Sequence, residues 1–183
     1  MLAYIFVVFA LAARMPFMAH PWNFTPVAAA LLYFGARGAR RQLWIPFVLL
    51  AASDVVLDKF VYAYPFQWDH LITWAWYAAV LWLGTNLSEN AGLREAKDWK
   101  RVGGAALASS VSFFIVSNFG VWAAWPTYPK TIAGLEACYI AGIPFFRHTV
   151  GGDLLYTALA FGVPALAAAL THTGKAHGSA AVV

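Results

Sequence analysis

Long uncharged apolar runs govern what this chain can fold into. Residues 2–13 and 102–124 carry no Asp, Glu, Lys or Arg, and residues 151–171 carry only Asp153. Such runs approach the roughly 20 residues that cross a hydrocarbon core about 30 Å thick. Hydrocarbon offers no hydrogen bonds to a bare backbone, so segments this long and continuous should be α-helices and not barrel strands. With 62% hydrophobic and only 11% charged residues, the chain reads as an integral membrane protein, an all-α polytopic helical bundle.

Six spans are expected, at about residues 2–18, 24–37, 43–60, 70–87, 103–123 and 151–171. A further apolar stretch, 131–146, contains Gly134, Gly142 and Pro144 and is short for a span, so it is expected to lie along the surface or re-enter. Residues 1–171 should form one transmembrane domain, and 172–183, with His172, His177 and several small polar residues, a flexible cytoplasmic tail. Residues 2–13 lack the basic leader of a signal peptide and are expected to be a retained first helix. Arg37, Arg40 and Arg41 share one loop and Arg94, Lys97, Lys100 and Arg101 another. By the positive-inside rule both loops, and with them both termini, face the cytoplasm. The nine tryptophans and eight tyrosines suit helix ends at the headgroup level. Small residues at Gly103, Gly104, Ala105, Ala106, Ala108, Ser109 and Ser110, and at Ala165, Ala167, Ala168 and Ala169, offer helix-packing surfaces. The single cysteine, Cys138, cannot close an internal disulfide and reads as another packing residue.

Polar residues within apolar runs carry whatever chemistry there is. Asp54 lies in the third span among Leu49, Leu50, Val55 and Val56, where a lone charge costs about 2.5–3.5 kcal/mol on insertion scales. Arg14 and Asp153 pose the same problem. An Arg14–Asp54 pair would be a structural answer for two of the three, with a role in binding a solute as the alternative. Asp58 extends the Asp54 stripe by one helical turn toward the outer face. Asn23 and Thr25 open the second span before Pro26, which fits a helix cap and first-turn proline as well as a ligand contact. Toward the outer end stand Asn118 and Trp122 of the fifth span, Tyr128 in the loop, and Arg147 and Asp153 beyond it. Each alone fits an interface anchor or an interhelical hydrogen bond. Their convergence on one membrane face makes Asn23, Asn118, Trp122, Tyr128, Arg147 and Asp153 the candidate contacts for a small solute.

Several classes are disfavoured. His20, His70 and His148, with Asp69 and Asp153 nearby, are residue types that bind transition metals, but their spacing forms no motif and no metal is expected. No phosphate-cradling glycine loop, HExxH, CxxC or nucleophile elbow occurs, so the chain alone is not an ATPase; no cofactor or enzymatic activity is expected. Its net charge of +4 comes from topology-setting loops and is no nucleic-acid signature.

The segments NFTPVAAALLYFGAR (23–37), LLAASDVVLDKFVY (49–62), SSVSFFIVSNFGVW (109–122), YPKTIAGLEACYIAGIPFFRHT (128–149) and GGDLLYTALAFG (151–162) resemble a bacterial membrane protein family of unassigned function, domain of unknown function 6580. Its members are labelled candidate transport proteins. They look like the substrate-binding S components of energy-coupling-factor transporters. The resemblance, over roughly residues 10–165, implies a protein of the bacterial cytoplasmic membrane that captures a scarce micronutrient at the outer face. It also implies a partner transmembrane protein driven by separate ATPases. The first helix reads Ala3-xxx-Val7 and Ala10-xxx-Arg14, which departs from the Ala-xxx-Ala surface such components present to that partner. An accessory subunit of a larger respiratory, photosynthetic or transport complex is the alternative reading.

Overall fold

The computed structural model describes residues 1–15, 23–87, 93 and 95–179, with side chains to Thr171. Six α-helices and no strand occur among the described residues: α1 Leu2–Ala13, α2 Val27–Arg37, α3 Trp44–Leu57, α4 Asp69–Thr85, α5 Ala96–Ala124 and α6 Ile132–Ser179. Residues 16–18 at the end of the expected first span, Arg94 of the second basic loop and the last four residues of the expected tail lie outside the described residues, as does His20.

The core is organised around α2. Ten of its eleven residues, Val27 through Ala36, are buried, and only Arg37 at its end is not. A helix apolar on every face has no solvent side to present, so it takes the middle of the bundle. Gly35 and Gly84 bring α2 and α4 backbone to backbone, because a Cβ on Gly35 would collide with the Leu81 carbonyl and Gly84. Lipid supplies no hydrophobic drive for such contacts, so small residues that permit close approach are what hold the helices together.

Contacts between elements fix an up-and-down order. Tyr4 of α1 hydrogen-bonds Gln42 beyond α2, Gly35 meets Gly84 near the end of α4, and Gly162 of α6 meets Trp99 near the start of α5. The start of α1, the basic α2–α3 connection and the Lys97–Arg101 region therefore share one end. At the other end the Trp125 indole donates to Asp69 Oδ2 at 3.1 Å, and Gly152 packs against Phe24 and Thr25. The α5 helix starts with a reciprocal cap between Glu95 and Asp98. It ends at Trp125, where the Lys130 ammonium donates to the carbonyls of Trp122 and Trp125, groups that no helical N–H can reach.

Residues 131–146 do not form an element separate from the last expected span. From Ile132 they are the first part of α6, which runs on through Pro144 and Pro164 to Ser179, eight residues into the expected tail. Of the residues that suggested a break, Gly142 is a contact point along α5, whereas Gly134 packs on the Pro129 backbone in the turn and Pro144 is exposed. Gly142 lies directly over the Asn118 side chain, and Gly162 over Trp99. A proline removes one backbone hydrogen bond, and α6 nevertheless continues past both of its prolines. Two helices are long and apolar enough to cross a membrane, α5 and residues 132–171 of α6. At 1.5 Å per residue these 29 and 40 residues extend about 43 and 60 Å.

Candidate functional site

Two adjoining cavities open between the helices at the end opposite the basic loops. The first, about 220 Å³, is bounded by Arg14 after α1, by Asn23 and Thr25 before α2, by Asp54 of α3, and by His70, Thr73, Trp76 and Tyr77 of α4. Phe113 of α5 and Thr149 and Asp153 of α6 complete it. The second, about 210 Å³, shares Asn23, Phe113 and Thr149 with the first and continues along Phe114, Ser117, Asn118 and Val121 of α5 and Gly142, Phe145 and Phe146 of α6.

Helical periodicity explains which side chains meet there. On α4, His70, Thr73 and Tyr77 recur at three and four residues; on α5, Ser110, Phe113 and Ser117 do the same; on α6, Gly142, Phe145, Thr149 and Asp153 form one stripe. Asn23 adopts a left-handed backbone at φ 61°, a conformation that asparagine tolerates better than most residues. It sits at the seam of the two cavities.

One wall of the first cavity is a saturated ionic cluster. Arg14 pairs with Asp54 Oδ1, and its Nη1 donates to Ser53 Oγ at 2.7 Å. The second carboxylate oxygen of Asp54 accepts the Trp74 indole N–H at 2.9 Å, and the Tyr77 hydroxyl lies 3.2 Å from Oδ1. Three donors, two from α4 and one from the residue that follows α1, thus converge on one buried carboxylate. Above it His70 Nε2 stands 2.8 Å from Asp58 Oδ2.

The opposite wall is different. Asp153 is 3% exposed and, among the described residues, accepts one hydrogen bond, from the Ser110 hydroxyl to Oδ2 at 2.6 Å. Among the described residues it has no ion-pair partner.

Of the residues singled out in the sequence, Asn23 and Asp153 line the first cavity and Asn23 and Asn118 the second. Trp122, Tyr128 and Arg147 line neither. The Trp122 indole donates to the Pro129 carbonyl at 2.9 Å, which ties the α5–α6 turn together. Arg147 is exposed, because two residues along a helix from Thr149 amounts to about 200° of rotation. Arg14 and Asp54 form their pair and at the same time belong to the cavity wall. Sequence reasoning passed over Thr73, Trp76, Tyr77, Phe113 and Thr149, whose signal was the three-and-four spacing of polar and aromatic residues on α4, α5 and α6. No cluster of three or more His, Cys, Asp or Glu side chains suited to a metal ion occurs among the described residues.

A family model described as Family of unknown function (DUF6580) matches residues 1–175. No curated protein matches the chain.

Proposed function

The chain belongs to that family, and from this premise we propose that it is a multi-pass protein of the bacterial cytoplasmic membrane that captures a small solute in its paired cavities. All six helices traverse or enter the bilayer, with the basic loops and both termini in the cytoplasm and the cavities toward the outer face. The charge asymmetry supports this orientation, since Arg37, Arg40, Arg41, Lys97, Lys100 and Arg101 cluster at one end of the bundle and the cavities lie at the other. Exposed Val163, Leu166 and Leu170 on α6 suit contact with lipid.

The observation that carries the functional reading is the concentration of ionisable and hydrogen-bonding groups around a void inside an apolar bundle. Charges within a membrane are expensive and mark substrate or ion pathways when they face a cavity. Arg14, Asp54, Asp153 and His70 all face this one. A polar first cavity joined to a phenylalanine-lined second one suits a solute with a charged head and an apolar body, held by a few placed polar groups. A role like that of an energy-coupling-factor S component, with a partner membrane protein supplying transport energy, accords with this arrangement.

Native mass spectrometry of the protein released gently from detergent tests the proposal. A stoichiometric small molecule, lost from Asn118→Ala or Asn23→Ala with the melting temperature held near the parent's, is the expected result. Recovery of the chain only within a larger membrane complex, with the cavities empty of solute, would replace solute capture by an accessory structural role.

A further inference from the structure

Resting on the reading that the cavities hold a solute, we infer that this solute is a small organic cation: an ammonium or protonated ring nitrogen, bound at Asp153, joined to a flat apolar group that lies among the phenylalanines of the second cavity. A count of charges leads there. The Arg14 and Asp54 charges cancel within their own pair, and the His70 imidazole is taken up by Asp58. Of the two carboxylates that line the cavity, Asp153 is what remains, with the Ser110 hydroxyl as its hydrogen-bond donor and no described Lys, Arg or His in ion-pair contact.

A carboxylate withdrawn from water either takes up a proton or is matched by a counter-charge, and one hydroxyl dipole does not supply the latter. Because Asp153 lines the cavity, that counter-charge can come from a ligand. The same uncompensated carboxylate repels anions. Trp76 and Phe113, with ring centroids 4.9 Å apart, border the same space, and aromatic π-systems favour a cation near their faces. Phe114, Phe145 and Phe146 then offer apolar area for the rest of the molecule, with Asn118 as a polar mark beside them. The cavities hold about 220 and 210 Å³, near the lower end of the range for small-molecule sites when taken together, so the solute is compact.

Three probes of one skeleton separate charge from shape: 2-phenylethylamine, 2-phenylethanol and phenylacetate, measured by titration calorimetry on the protein in lipid nanodiscs. The amine is expected to bind at least tenfold more tightly than the alcohol, with phenylacetate weakest. Asp153→Asn should bring the amine down to the alcohol's affinity and leave the alcohol unchanged. The wild-type comparison needs no variant, so it decides even where Asp153→Asn folds poorly. An alcohol that binds as tightly as the amine, an amine preference that survives Asp153→Asn, or a preference for phenylacetate would each overturn the cation while leaving solute binding intact. If no probe binds, the net charge of the solute seen by native mass spectrometry decides: a cation upholds the inference and a neutral or anionic molecule overturns it. No probe bound and no solute recovered would end both the inference and the reading beneath it.

Discussion

Asp54 and Asp153 are both buried aspartates in apolar helices, 6% and 3% exposed, on facing walls of one cavity, yet the protein treats them in opposite ways. Asp54 receives a guanidinium from the end of α1 and an indole N–H and a phenol hydroxyl from α4. Asp153 receives one serine hydroxyl. A bundle that neutralises one carboxylate so fully has the means to neutralise another. The contrast therefore teaches which of the two serves the fold and which is held available for something else.

The largest effect should come from breaking the saturated cluster. Arg14→Gln strands Asp54 and should lower stability by about 3–5 kcal/mol, whereas Arg14→Gln with Asp54→Asn should recover much of the loss. Thermal unfolding of the four proteins in detergent measures that coupling, and additive losses would show that the pair contributes nothing beyond its separate parts. Ser110→Ala comes next, with an expected cost of about 1–2 kcal/mol, because it removes the one donor to Asp153 among the described residues. Trp74→Phe should cost about 1 kcal/mol, since Asp54 keeps two other partners; a larger loss would mean that the indole, and not the guanidinium, organises the cluster. Asp153→Asn should change the melting temperature least, within about 0.5 kcal/mol of the parent, and should stabilise if it moves it at all. A collapse in stability at Asp153→Asn would erase the distinction between the two walls.

Much of the fold was legible because its determinants are local and repeated. The apolar runs marked the helices, and the basic clusters marked one common end, at which the structure places Arg37–Arg41 and Lys97–Arg101 together. The Arg14–Asp54 contact was legible for an energetic reason: two opposite charges in apolar runs have few places to go but each other. What stayed hidden depends on partners distant in sequence. Gly142 and Pro144 look like a helix break until Asn118 is seen lying against Gly142, so α6 was divided in two. The same limit affected the site. Asn23, Asn118 and Asp153 stood out as polar residues in apolar surroundings, while Thr149 and Tyr77 did not, because only the placement of α4 and α6 turns their faces inward. Arg147, Trp122 and Tyr128 were near the right end of the molecule but on other faces or in the turn.

Ser110, which holds Asp153, stands at the midpoint of α5. With α5 across the bilayer, the unmatched carboxylate lies near the electrical middle of the membrane. A monovalent cation that reaches it from the outside of an inside-negative cell falls through about half of the voltage. One charge crossing 100 mV is worth about 2.3 kcal/mol, so half of that path is worth roughly 1.1 kcal/mol, or about sevenfold in affinity per 100 mV. Under the proposal of a bound cation, occupancy then follows the energised state of the cell without any moving part: polarisation draws the cation in, and depolarisation lets it go.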